Sequence, residues 1–189
     1  MKNIYIFLVI ILIFGLTGCS KNLGKDEYRS ELESIILDIS DRNLNKLEKT
    51  RKKYSSMGEL TIDEEVEMNI DICTYFIELD DEFLHKLSKI DCKDKEYKEY
   101  HETIIKNIRY DHKKMKKALK IEKEKLPLAR KKRNEWSERD YKKAKKQVKK
   151  VVKYIKAGDE AKAIVGLTLS SSIKIDNEIF EKIKKIGYY

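Results

Sequence analysis

From residue 26 onward, apolar residues recur at three- and four-residue steps, the spacing of one buried face on an α-helix. The first block, residues 26 to about 54, aligns Tyr28, Leu32, Ile35, Ile36, Ile39 and Leu47. Residues 55–60, with Gly58, read as a turn, and Thr61-Ile62-Asp63-Glu64 has the pattern of a capping box. The second helix runs from there to about residue 90, with Ile62, Val66, Ile70, Cys73, Phe76, Ile77, Phe83, Leu84 and Leu87 along its stripe. A third starts near Asp94 and carries Tyr97, His101, Ile104, Ile108, Met115 and Leu119 before its stripe thins. Pro127 disfavours helix at Leu126 and so marks its expected end. Ser137, followed by Glu138 and Asp140, suits the start of a fourth helix. Its apolar side is Tyr141, Ala144, Val148, Val151, Val152 and Ile155, and Gly158 is its expected stop. Residues 159–187 read as looser helix, with a break near Ser170 to Ser172 and a last short helix capped by Asp176.

No strand-length alternation, Asn-Gly or Asp-Gly hairpin, or internal repeat is present. Each helix can bury only one stripe, so the helices must pack on one another. The fold class is all-α, an elongated antiparallel bundle of four to five amphipathic helices, with a coiled-coil hairpin as the alternative. Asn43, Asn69, Asp80 and Asp111 fall at stripe positions, either as register-setting contacts or, the simpler expectation, as half-exposed sites.

Composition narrows the classes further. One proline and seven glycines among 189 residues exclude a collagen-like or linker-like chain, and 41% hydrophobic content is too high for wholesale disorder. Three cysteines cannot build a disulfide scaffold. Cys73 reads as a small core residue and Cys92 as a loop thiol. The net charge of +9 is unevenly spread. Residues 59–82 hold ten acidic side chains and no basic one, whereas residues 106–156 hold 22 basic and 6 acidic. One expectation is that these two faces pair within the bundle. The other is that the excess remains free as an anion-binding or membrane-facing surface, formed by Arg130, Lys131, Lys132 and Arg133 in the connector and Lys142, Lys143, Lys146, Lys149, Lys150 and Lys153 on the fourth helix. Of the 42 basic residues 35 are Lys, which acts as a point charge, so binding through them should be diffuse and salt-sensitive.

The amino terminus changes where that surface is expected to act. Lys2 is followed by an unbroken apolar run over residues 4–14. With residues 15–17 the run is shorter than the ~20 residues of a spanning helix and has the length of a signal-peptide core. Leu16-Thr17-Gly18-Cys19 follows, and it resembles the lipobox of bacterial membrane lipoproteins. The resemblance implies cleavage between Gly18 and Cys19, a lipid on the Cys19 thiol, and a location on the outer face of the cell membrane. It divides the chain into a signal peptide over 1–18, a lipidated Cys and short tether over 19–25, and a single helical-bundle domain over 26–189. The expected partners are then the membrane itself through the anchor, with an anionic lipid, a wall polymer or another envelope protein at the basic face. Nucleic acid is not expected, because an exported chain meets little of it and zinc-finger spacing is absent.

Little in the sequence points to catalysis. Glu82-Phe83-Leu84-His85 is a Glu-x-x-His step, but the bundle di-iron site needs two such steps. His101 and His112 are eleven residues apart, about 16 Å along a helix, too far to share a metal. Both are expected at the surface or half-buried. Gly-rich phosphate loops, a nucleophile elbow and His-Glu-x-x-His are absent. No cofactor, metal or catalytic residue is therefore expected. Trp136 and the Tyr188-Tyr189 pair are candidate anchors at an interface, or else packed or frayed ends. The expected function is a non-enzymatic binding module, with a protective surface lipoprotein of the toxin-immunity or phage-exclusion kind as the alternative.

Overall fold

The structure, a computed structural model, describes residues 21–189; Gly18 and Cys19 lie outside the described residues. Its elements are β1 (Lys21–Leu23), α1 (Lys25–Ser55), α2 (Ile62–Leu87), β2 (Ile90–Cys92), α3 (Lys95–Ala129), α4 (Glu138–Leu167) and α5 (Asn177–Lys185). A short 3-10 turn (Arg133–Glu135) lies between α3 and α4, and a π-helical segment (Thr168–Ile173) between α4 and α5.

The expected caps start the helices. Glu64 accepts the backbone N–H of Thr61 at 2.8 Å. The Ser137 hydroxyl accepts the N–H of Asp140 at 3.2 Å. Asp94 accepts from Tyr97 at 3.0 Å and Asp176 from Glu178 at 2.8 Å. Each satisfies a backbone donor that the first helical turn leaves open.

The helices pack antiparallel in chain order. Lys46 meets Glu78 while Lys53 meets Asp71, so α1 and α2 run in opposite senses. His112 on Asp81 and Arg130 on Glu67 fix the same relation between α2 and α3. Asp111 faces Lys162 while Ala118 packs with Val151, which reverses α4 against α3. The fold is all-α and bundle-like, and the hairpin alternative does not apply.

The main core joins α1, α2, the first half of α3, the end of α4 and α5 through Leu32, Ile36, Leu79, Phe83, Ile104, Val165 and Ile183. A much smaller cluster of Cys73, Ala118 and Val151 serves the other end. The bundle is thus thickly packed near β1 and β2 and thin where α3 ends and α4 begins.

Several expectations are corrected. Residues 20–25 were expected as a tether and residues 90–92 as helix end and loop. Instead Lys21–Leu23 pairs in parallel with Ile90–Cys92, in the register Lys21 with Ile90 and Leu23 with Cys92. Cys92 is consequently buried in a strand. Two three-residue strands are too short to show a period of two, and their pairing across the whole α1–α2 hairpin leaves no local mark.

Pro127 does not stop α3, which runs on to Ala129. The missing N–H falls two residues from the end, and burial of Leu128 and Ala129 holds the final turn. Gly158 does not end α4; it lies inside it. Ser170 and Thr168 turn their hydroxyls back onto the carbonyls of Gly166 and Ile164, and the helix widens to π there instead of breaking.

The buried face of α4 is also rotated from the expected one. Gln147, Val151, Gly158, Ala161, Lys162 and Val165 face inward, whereas Tyr141, Val148 and Val152 are exposed. Apolar residues mislead here because the inward face is built from small and polar ones. His101, expected at least half-exposed, is buried and shares a 2.9 Å hydrogen bond with the Tyr28 hydroxyl.

Candidate functional site

Three features stand out once the helices are placed: a buried polar knot, a cleft beside it, and a basic end. The knot forms where α2, α3, α4 and the carboxy terminus meet. Asp80, Asp111, Lys162 and Tyr188 are all buried there. Lys162 Nζ lies 3.2 Å from Asp111, 3.6 Å from Asp159 and 4.0 Å above the Phe76 ring. The Tyr188 hydroxyl donates to Asp80.

Two carboxyls and one ammonium in a dry interior cannot all be ionised cheaply. Burial, and then the neighbouring Asp111 charge, push the Asp80 carboxyl up to about 8, while Tyr188 and Lys162 act in the opposite direction. Burial likewise raises Asp111 against the pull of Lys162. Burial thus favours the neutral form at both carboxyls, and the nearby Lys162 ammonium opposes it at both. The half-exposed expectation fails for Asp80 and Asp111, which are buried interhelical contacts. Asn43 is buried too, and its amide donates to the Ile39 carbonyl and to Glu82.

The sequence carries a signal for Lys162 but none for Tyr188. Continuing the α4 period through Gly158 puts Lys162 on the face of Val151 and Val165. Gly158 is what permits the contact, because a Cβ there would sit 2.2 Å from Asp111 Oδ1 and 2.7 Å from Met115 Cε. Lys162 and Asp159 also line a cleft of about 610 Å³ between the far halves of α1 and α2 and the carboxy-terminal residues.

The basic residues singled out from the sequence lie in the α3–α4 connector and along the first half of α4, toward one end of the molecule. Arg130, Lys131, Lys132, Arg133, Lys142, Lys143, Lys146, Lys149, Lys150 and Lys153 are all exposed. Arg130 pairs with Glu67 at 2.9 Å and Lys142 with Glu138 at 2.6 Å. The other eight make no ion pair among the described residues. Asp71, Glu78 and Glu82 of α2 turn to Lys53, Lys46 and Arg42 of α1, while the first turns of α2 bring Glu67 onto Arg130 and set Glu65 beside Arg133 in a shared cleft. Trp136 folds back over the connector, donating to the Lys131 carbonyl at 3.3 Å and packing on the Tyr141 ring at 5.2 Å. A second cleft of about 430 Å³, reached by Trp136, Arg133 and Val148, opens beside it.

This basic end is remote from β1. α3 starts next to β2, the partner of β1, and its 35 residues carry the chain about 52 Å to the connector. Glu82, the acid of the Glu-x-x-His step, bonds to Arg42 and Asn43, while His85 is exposed. Among the described residues no group of three or more His, Cys, Asp or Glu side chains is placed to hold a metal, and no helix is long and apolar enough to cross a membrane. No protein family, curated protein or solved structure matches this chain.

Proposed function

We propose that this protein is a lipid-anchored, extracytoplasmic and non-enzymatic binding module that holds an anionic envelope polymer against the basic end of its bundle. The carrying observation is the position of that basic end, about 52 Å along α3 from the strand that follows the anchor. The support for the anchor is the lipobox resemblance around Cys19. Only Ser20 would then separate the lipidated residue from β1, because the tether expected over 19–25 is taken up by the strand and the start of α1. The thick end of the bundle would sit on the bilayer and the basic end would project beyond the headgroups.

Eight cationic side chains without ion-pair partners create a field that attracts any polyanion. Their number and spread along one end of the molecule suit a flexible chain of phosphates or carboxylates better than a single small ion. The exposed Tyr141, Val148 and Val152 lie next to the lysine face and give a bound chain apolar surface to rest on.

A photo-crosslinking group at Lys149, introduced in intact cells, should capture anionic polymer. The same group at Glu99, near β2, should not. Equal capture at both sites would contradict the reading. Cys19→Ala should release the chain from the membrane fraction and abolish its labelling with palmitate.

A further inference from the structure

The α1–α2 hairpin is longer than the helix that covers it. Glu33 accepts the N–H of Asp176 at 2.9 Å and Asp41 accepts from Lys182 at 3.0 Å, so α5 lies along the first half of α1. Beyond Asp41, α1 continues to Ser55, about 20 Å further, and among the described residues no other helix packs on that side. The 610 Å³ cleft is the space left over. Leu47, Leu60, Met68, Ile72, Phe76 and Ile186 give it apolar surface, with Thr50, Tyr54 and Ser55 also in the lining. Met68, Ile72 and Phe76 repeat at four-residue steps on α2 and remain half-buried, a stretch of helical stripe only partly covered, with Lys162 over the Phe76 ring.

The mouth of the cleft is cationic. Arg51 and Lys185 are exposed there and make no ion pair among the described residues; Lys184, paired with Glu181 at 2.6 Å, stands beside them, and Lys162, paired with Asp111, lies in the floor. Asp159 is the one acidic side chain in the lining. A cavity of this size with an apolar wall and a few convergent charges is the usual form of a small-molecule site.

We propose that this cleft binds a single-chain anionic amphiphile, a hydrocarbon tail with a carboxylate head. The tail lies against Met68, Ile72 and Phe76, and the head meets Arg51, Lys184 and Lys185. The occupant cannot be acyl chain attached at the amino terminus. Leu47 is already about 33 Å along α1 from Lys25, whereas the acyl chains of one leaflet reach only about 15 Å. A second copy of the chain is disfavoured because it would bring the same cationic mouth.

The chain from Ser20 onward is suited to the test, since its main core closes between Tyr28 and Tyr188. Calorimetric titration with dodecanoate should give one site per chain. Dodecyltrimethylammonium, with the same tail and the opposite charge, should bind far more weakly, and acetate, with no tail, should not bind. Arg51→Glu combined with Lys185→Glu, at two exposed positions that leave the fold intact, should weaken dodecanoate binding by at least about tenfold. Met68→Trp should fill the cleft and remove it. Absence of dodecanoate binding, equal binding of the cationic amphiphile, or an unchanged affinity in the charge-reversed variant would overturn the proposal. So would dimerisation on ultracentrifugation that Arg51→Glu abolishes, because the cleft would then belong to a second copy. None of these outcomes bears on the basic end, which the variants do not touch.

Discussion

Gly158 shows how much one missing side chain can carry. A helix interior normally favours Ala over Gly by up to about 1 kcal/mol. Here an added methyl would collide with the Asp111 carboxyl, which is itself held by Lys162. Gly158→Ala should therefore destabilise the protein by about 1–3 kcal/mol in urea unfolding, the range for overpacking a closed site. A stabilised variant would mean that α3 and α4 are not in contact at this level. The same scale holds a second test. Cys73 and Cys92 are both buried, and burial pushes the Cys73 thiol up to about 11. Neither thiol should react with a thiol reagent in the native chain from Ser20, and both should react in urea. Rapid labelling of Cys92 would restore the loop expected from the sequence and argue against the β1–β2 pair.

Among the elements, the legible ones were those whose apolar stripe is their buried face. The α1 stripe from Tyr28 to Leu47 is buried at every position named from the sequence. α3 was half legible. Its buried face continues through Asp111, Ala118 and Glu122, so the stripe that thinned in hydropathy did not thin in geometry. α4 was misread because Gln147, Gly158 and Lys162 occupy its inward face, and hydropathy cannot see a lysine whose charge is met by an aspartate on another helix. The polar knot was legible only as misplaced aspartates. Its partners Lys162 and Tyr188 come from 80 or more positions away from Asp80 in sequence and meet it only through the fold.

The knot makes a prediction about pH. Asp80 is raised from 3.8 to about 8 in the folded state. Between those values the folded chain holds a proton that the unfolded chain has lost, so stability falls as pH rises. The loss is up to about 1.4 kcal/mol per pH unit and is complete above about pH 8. Burial lowers His101, and that contribution runs the other way, lost as pH falls below its ordinary value of 6.5. The informative measurement is thus a difference: Asp80→Asn should flatten the melting temperature between pH 5 and 8 relative to the parent. Parallel curves would show that Asp80 is ionised in the fold.

At the scale of the molecule, the sequence foretold an all-α bundle and a segregated charge, but not where the charge would lie. Position along the chain was a poor guide, because residues 106–156 lead away from the β1–β2 pair and back again. Only the antiparallel course of α3 and α4 sets the basic connector and the first half of α4 toward the end opposite β1. The bundle itself answers whether acidic and basic faces cancel: three α2 acids pair with α1, and Glu67 alone pairs with the basic connector among the described residues. An uncompensated basic end is the feature on which the proposed function depends. The most direct test is the affinity of the chain from Ser20 for poly(glycerol phosphate), measured at low and moderate salt beside a variant carrying Lys142→Glu, Lys146→Glu, Lys149→Glu and Lys153→Glu. The parent should bind, losing roughly tenfold or more in affinity between about 50 and 200 mM salt because counterion release gains less entropy at higher salt, and the variant should not bind. Equal, salt-independent binding by both chains, or none by the parent, would contradict the account.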